Sequence, residues 1–104
     1  MRKRRFEILL PLRFNDGQPI DRELFDQTRE ELVAQFGSLT LHPSALQGIW
    51  VNEGIRYEDE CRRFFVDVDD TPENESFFAN FKLHLMDRFQ QIAVYISSYP
   101  VDIV

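Results

Sequence analysis

Residues 63–73 have the sequence RFFVDVDDTPE, and this stretch decides the fold. Apolar side chains recur at every second position from Phe64 to Val68, which is typical of a strand with one buried face. Thr71 and Pro72 follow, and these residue types favour the cap and the first position of a helix. The stretch therefore predicts a buried strand that leads directly into a helix.

A second strand and helix of the same kind come earlier in the chain. Phe6–Phe14 alternates in the same way, although Pro11 cannot donate to a sheet and so predicts a bulge or kink. Asp21 is a favourable helix cap, and apolar residues recur at helical spacing up to Gly37, a residue type common just beyond a helix end. We therefore predict a helix over Arg22–Phe36.

A hairpin and two further elements complete the pattern. Gln47–Val51 and Ile55–Arg62 flank residues 52–54 (Asn-Glu-Gly), which predicts a three-residue loop, and the polar second arm favours a tip in water. After the second helix, Ile92–Tyr99 alternates again as a last strand. The element order predicts an α+β protein with the ferredoxin-like βαββαβ fold, a four-stranded antiparallel sheet with two helices on one face.

The composition favours a single globular domain. At 104 residues, with 43% apolar residues and ten phenylalanines, residues 1–104 are sufficient for one hydrophobic core. The net charge of −6 is uneven, because residues 2–5 are all basic. We predict that residues 1–5 form a flexible basic tail and that residues 101–104 form an apolar C-terminal tail. The acidic body is expected to repel nucleic acid and anionic lipid.

The sequence carries no sign of export or membrane insertion. Its apolar runs fall well short of the roughly 20 residues that a membrane span needs. The basic start is followed by Glu7 and Pro11 rather than by the apolar core of a signal peptide. Cys61 is the only cysteine, which excludes an internal disulfide. These features predict a cytoplasmic protein without a membrane partner.

The side of the sheet that faces away from the helices, termed the open face, is the most informative feature. If Phe64 and Val66 face the helices, strand parity directs the alternate residues to the open face. Large apolar or aromatic side chains then lie on a surface that this chain cannot cover. Such a patch favours a protein interface, and we predict a homodimer, with a different protein partner as the alternative. The residues predicted for this interface or for a ligand are Leu9, Arg13, Trp50, Arg63, Phe65, Tyr95 and Tyr99, accompanied by Asp67 and Ser97.

Residues with catalytic or metal-binding chemistry are few and scattered. Cys61, His42 and His84 show no spacing typical of a nucleophilic dyad or a zinc site. The acidic residues between Asp67 and Glu75 lack the spacing of a calcium loop, and helix capping and the helix dipole explain them better. We therefore predict no catalytic residue, no cofactor and no metal ion, and the biochemical role stays open.

Two alternatives remain for the same fold. A dimeric α+β barrel, as an enzyme or small-molecule binder, would have an apolar cleft lined by Trp50, Tyr57, Tyr95 and Ser97. RNA-recognition domains share this element order and bind nucleic acid on the open sheet face, to which the basic N-terminus would add. Their third-strand signature is poorly matched, because only Phe65 and Val66 fall into place. Nucleic acid is therefore the least favoured partner.

Overall fold

The computed structural model describes residues 2–42 and 44–104. Two helices and five strands form in that part of the chain. Their bounds are β1 Lys3–Pro11, α1 Arg22–Phe36, β2 Thr40–Leu41, β3 Leu46–Asn52, β4 Ile55–Asp69, α2 Pro72–Arg88 and β5 Tyr95–Val101. The strand pairs among these residues are antiparallel, which confirms the predicted α+β class and ferredoxin-like order.

The long strand β4 organises the sheet. β1 pairs with it along one edge, and β5 is added on the far side of β1. On the other edge, β3 contains the predicted strand Gln47–Val51 and pairs with residues 55–61. An additional short strand, β2, lies where none was predicted and pairs with Phe64 and Phe65. The sheet therefore has five strands among the described residues, where the sequence predicted four.

The hydrophobic core lies between the two helices and one face of the sheet. The rings of Phe6 and Phe78 stack with their centroids 4.0 Å apart, which joins β1 to α2. Leu32 of α1 and Leu85 of α2 have no exposed surface. Removing such apolar surface from water is the main favourable contribution to folding. Phe64 and Val66 face the helices, as the sequence analysis assumed. The residues of the same parity on the strands, with Val94 just before β5, are buried or packed against this core: Phe6, Ile8, Leu10, Phe64, Val66, Val68, Val94 and Ile96.

The helix ends agree with two of the three predicted caps. Thr71 Oγ1 accepts a 3.2 Å hydrogen bond from the Asn74 amide at the start of α2. Gly37 follows α1 with a φ of 77°, a left-handed conformation that glycine adopts without steric cost. Asp21 does precede α1, but its side chain makes no capping hydrogen bond. The Leu24 amide instead donates a 3.1 Å hydrogen bond to the backbone carbonyl oxygen of Asp21.

The basic N-terminus is not the flexible tail that the sequence predicted, because β1 begins at Lys3. Its basic residues continue the alternation of the strand and meet acidic residues on β4. Lys3 Nζ lies 2.6 Å from Asp69 Oδ1, and Arg5 Nε lies 2.8 Å from Asp67 Oδ1. Cross-strand pairs of opposite charge stabilise a sheet, so these residues extend it. Met1 lies outside the described residues.

Two prolines lie within strands without disturbing them. The register of β1 with β4 continues through Pro11, so the predicted bulge or kink is not found in this strand. The Leu12 amide donates to Glu60 on β4, so the nitrogen of Pro11 points to the opposite side, where pairing with β5 has already ended at Leu9. Pro100, on the edge strand β5, likewise directs its nitrogen to the free edge. Neither proline removes a hydrogen bond from the sheet.

The hairpin of β3 and the first part of β4 extends beyond the body of the molecule. Its loop has two residues, Glu53 and Gly54, rather than the three predicted. Both have positive φ, 51° and 77°, as in the type I′ turn that matches the twist of a hairpin. Every residue from Val51 to Glu60 is exposed, as predicted for a tip in water. Residues 46–60 are called the hairpin arm below.

The last strand starts later than predicted. β5 spans Tyr95–Val101 instead of Ile92–Tyr99, and Ile92 is 93% exposed. The predicted C-terminal tail is correspondingly shorter, because Val101 belongs to the sheet and pairs with Lys3. Only residues 102–104 follow the strand.

Candidate functional site

The centre of the open face is a network of charged side chains that links three strands. Arg5 on β1 donates two hydrogen bonds, of 2.8 and 3.0 Å, to the carboxylate of Asp67 on β4. Arg63 on β4 donates to Glu7 on β1. The hydroxyl of Tyr99, on β5, donates a 2.7 Å hydrogen bond to the same Glu7 oxygen. The network therefore fixes the side chains of β4, β1 and β5 relative to one another.

An aromatic ring occupies the middle of this network. The guanidinium carbon of Arg5 lies 4.4 Å from the centroid of the Phe65 ring, and that of Arg63 lies 4.6 Å from it. A cation this close to a ring face is attracted by the ring quadrupole. Phe65 thus contacts two guanidiniums, each of which is itself bound by a carboxylate.

The paired carboxylates are stabilised in their charged form. The hydrogen bond from Arg63 lowers the pKa of Glu7 below its ordinary value, and the hydrogen bonds from Arg5 lower the pKa of Asp67 in the same way. Lys3 lowers the pKa of Asp69 by the same kind of contact. At neutral pH the three carboxylates therefore balance the three cations, and this part of the open face carries no net charge.

Five of the residues predicted for the site lie together on the open face. In the strand register, Leu9 of β1 is opposite Arg63 on one side and Tyr95 on the other. Phe65 and Tyr99 lie further along β4 and β5 and contact the charged network. Tyr95 is 67% exposed and Tyr99 41% exposed, so part of this surface is open to water.

The other two predicted residues lie away from this group. Trp50 has the parity of the open face, but it lies on the hairpin arm, where its ring stacks on Tyr57 with the centroids 4.2 Å apart. Arg13 follows the end of β1 and donates a 3.1 Å hydrogen bond to the carbonyl oxygen of Gly17. Both line a single groove described below, rather than the centre of the open face.

Three charged residues of the open face were missed by the sequence interpretation: Lys3, Arg5 and Glu7. Lys3 and Arg5 were hidden because residues 1–5 were assigned to a tail, and Glu7, although in the predicted strand, was passed over because the interpretation followed the apolar side chains. The signal for them was present, since they alternate with Arg4, Phe6 and Ile8 in the strand period. Acidic residues at the same spacing on the partner strand, Asp67 and Asp69, would have indicated the pairing.

Two grooves adjoin the stacked aromatic pair of the hairpin arm. The larger, of about 500 Å³, runs between the arm and the loop that follows β1, and it includes Arg13, Trp50 and Tyr57. The smaller, of about 320 Å³, includes Leu9, Trp50 and Tyr95. The structure thus brings Trp50 near Tyr57 and near Tyr95. Ser97, which was predicted for the same cleft, lies opposite Glu7 on the sheet and lines neither groove.

The residues with nucleophilic or metal-binding chemistry are not gathered into a site. Burial, followed by the nearby Asp59, raises the pKa of the Cys61 thiol, which makes it a poorer nucleophile at neutral pH. In the part of the chain that the structure describes, no group of three His, Cys, Asp or Glu side chains is arranged to hold a metal ion. The acidic residues Asp67, Asp69 and Asp70 serve mainly as partners of basic residues on β1 rather than as helix caps.

Neither helix in residues 2–42 and 44–104 has the length and apolar character required to cross a membrane.

No protein-family model matches the chain, and no curated protein matches it. Similarity is found instead among solved structures. CutA1 from Oryza sativa has a TM-score of 0.68 at 8% identity, over 100% of this chain and 84% of that one. The divalent cation tolerance protein CutA1 from Thermus thermophilus has a TM-score of 0.67 at 16% identity, over 98% and 86% of the two chains.

A third solved structure is similar over most of its length. A phage SAM lyase, in complex with S-methyl-5′-thioadenosine, has a TM-score of 0.64 at 12% identity, over 97% of this chain and 90% of that chain. At such identities these similarities show the fold alone, and a fold of this kind serves many unrelated functions.

Proposed function

We propose that the protein is an interaction module that associates with itself through the open face, in its simplest form as a two-fold homodimer in the cytoplasm. The observation that carries this proposal is the network of charged side chains around Phe65, in which each cation is paired with a carboxylate so that the sum of charges is zero. It leaves the centre of the face without net charge and places it beside the exposed rings of Tyr95 and Tyr99, a residue type that is enriched in protein interfaces.

Electrostatics favours a second copy over a charged partner. The chain carries a net charge of −6, so two copies repel each other over most of their surfaces. The centre of the open face is an exception, because its cations and carboxylates are paired within the chain. The same pairing opposes nucleic acid, since the guanidiniums of Arg5 and Arg63 are already bound to carboxylates and are not available to phosphates.

The network also lowers the cost of association. Long side chains usually lose rotamer freedom when an interface forms, at about 0.5–1.5 kcal/mol for each. Arg5, Arg63 and Tyr99 are held by hydrogen bonds within the chain before any partner arrives. Association on this face therefore loses less side-chain entropy, so less of the contact free energy is offset.

The hairpin arm supplies a second reason for a partner. A two-stranded hairpin is marginally stable by itself in water. The arm nonetheless exposes Trp50 to 48%, together with much of Ile49, Val51 and Ile55. Tryptophan and tyrosine at such positions are typical anchors of protein interfaces. Contact with a second copy would cover the Trp50 side of the arm together with the open face.

Sedimentation equilibrium of the intact protein at micromolar concentration tests the proposal. We expect a mass of at least twice 12.4 kDa, the mass of one chain. Phe65→Glu and Trp50→Glu should each reduce the mass to that of one chain, with the circular dichroism spectrum unchanged. The control Leu83→Glu changes an exposed residue of α2, on the helix side of the sheet, and should leave the assembly intact. A wild-type mass of 12.4 kDa overturns the proposal.

A second candidate function is the binding of a small molecule in the groove of about 500 Å³. Its volume is within the usual range for ligand sites, and the stacked Trp50 and Tyr57 rings form an aromatic wall. The similar phage SAM lyase was solved with S-methyl-5′-thioadenosine, whose purine ring is a suitable probe. Trp50 is the only tryptophan of the chain, so its fluorescence reports occupancy directly. Saturable quenching by this nucleoside supports the candidate, and unchanged fluorescence at millimolar concentration excludes this ligand.

A further inference from the structure

A separate groove of about 440 Å³ lies on the helix side of the sheet, beside the first turns of α1. It is called the arginine groove here, and its residues are Leu12, Ile20, Arg22, Phe25, Asp26, Arg29, Leu41 and Arg62. It shares no residue with the open face or with the groove beside Trp50.

The groove lies beside the point where the sheet passes from β2 to β3. Among the described residues, β2 ends at Leu41 and β3 begins at Leu46, and Leu41 and Arg62 of β4 both line the groove. Arg22, Phe25 and Arg29 recur at helical spacing, which places them on one side of α1, where they line the groove. Arg62 reaches the same space from β4, with its guanidinium carbon 5.6 Å from the centroid of the Phe25 ring.

The groove is positively charged in an acidic protein. Three guanidiniums and one carboxylate line it, and that carboxylate, of Asp26, lies 3.2 Å from Arg29 and 3.9 Å from Arg22. Arg29 also lies 3.5 Å from the exposed Glu30, which is not part of the lining. Positive charge is therefore in excess at the groove, by two among its lining residues and by one when Glu30 is counted, although the chain as a whole carries −6. The rest of the lining is apolar, from Phe25 and the buried Ile20 among others.

We propose that the arginine groove binds a phosphate monoester with an aromatic or apolar body. A phosphate monoester carries close to two negative charges at neutral pH, so the net positive charge of the groove attracts it. Guanidiniums bind phosphate oxygens through paired hydrogen bonds, and the apolar floor accommodates the remainder of the ligand. A groove of this volume suits a small molecule rather than a folded domain. This site does not depend on self-association.

Three probes test separately the charge of the ligand and its aromatic ring. Phenyl phosphate is titrated into the ¹⁵N-labelled full chain, with phenyl sulfate and inorganic phosphate as comparisons. Phenyl sulfate has the same shape with one charge fewer, and inorganic phosphate has the charge without the ring. We expect phenyl phosphate to bind most tightly and to shift the amides of α1 and of Arg62. Equal affinity for all three, or shifts elsewhere, overturns the proposal.

Substitutions then assign the site. Arg62→Gln and Arg29→Gln should each weaken phenyl phosphate binding roughly tenfold, because a hydrogen bond between charged groups is lost. Asp26→Asn should strengthen binding, a gain that unfolding cannot produce. The matched control Arg56→Gln removes an exposed arginine of the hairpin arm, outside the groove, and should change nothing. Unaltered affinity in the Arg62 and Arg29 variants contradicts the assignment.

Discussion

The hydroxyl of Tyr99 lies 2.7 Å from Glu7 Oε1, the same oxygen that accepts a hydrogen bond from Arg63. One carboxylate thus joins the edge strand β5 to β1 and β4 on the open face. The contact depends on the ionised form of Glu7, because the carboxylate accepts the hydrogen bonds from both Arg63 and Tyr99.

This arrangement predicts acid sensitivity. Glu7 and Asp67 have lowered pKa values in the folded protein, against ordinary values of 4.5 and 3.8. Their contribution to stability is complete above those ordinary values and is lost as the pH falls through the folded pKa values. The free energy of unfolding should therefore fall as the pH is lowered from about 5, the start of the usual range for such losses. Urea titrations at successive pH values measure it.

The Glu7→Gln variant is the control for the acid effect, because the amide keeps the shape of the side chain and does not titrate at acidic pH. Its free energy of unfolding should depend less steeply on pH than that of the wild type. Parallel curves for the two proteins would show that Glu7 does not couple to folding.

Leu83 and Leu85, on the same helix, form a matched pair for testing the core. Leu85 is fully buried, whereas Leu83 is 60% exposed. Leu85→Ala should lower the free energy of unfolding by about 2–5 kcal/mol, from lost transfer free energy and a cavity. Leu83→Ala should change it by less than about 0.5 kcal/mol, as is usual for surface sites. Chemical denaturation of both variants measures the difference, and similar values would contradict the burial assigned to α2.

Strand parity could be predicted from the sequence, because burial of every second residue is a local property. It placed Phe64 and Val66 under the helices and Phe65 on the opposite side. The ion pairs needed a further step, since they depend on the register between β1 and β4, which are far apart in the sequence, and that step was to compare the charges of the two strands. The tail assignment of residues 1–5 followed from charge alone and ignored the acidic residues opposite them. Helix and strand types were thus set by local pattern, while the site was set by long-range pairing.

A contact between the helices illustrates the same limit. Thr28 of α1 is fully buried, and its hydroxyl accepts a 2.9 Å hydrogen bond from Arg88 of α2. Thr28→Val removes the acceptor and leaves one nitrogen of the nearly buried Arg88 without a partner. We expect a loss of about 1–3 kcal/mol in the free energy of unfolding. Gln27→Val, at the exposed neighbouring position, serves as the control, and an equal loss there would assign the effect to helix propensity.

The loop of the hairpin arm is the last test, since its backbone conformation is demanding for any residue except glycine. Gly54 has a φ of 77°, with no atom close to the position of an added Cβ, so Gly54→Ala is strained by its backbone rather than by a clash. It should destabilise the arm by about 1 kcal/mol or more. Glu53 has a φ of 51°, and Glu53→Asn should stabilise the arm, because Asn-Gly is the favoured pair in a type I′ turn. Amide hydrogen exchange in residues 46–60 measures both effects. Faster exchange in the Glu53→Asn variant would contradict the two-residue turn.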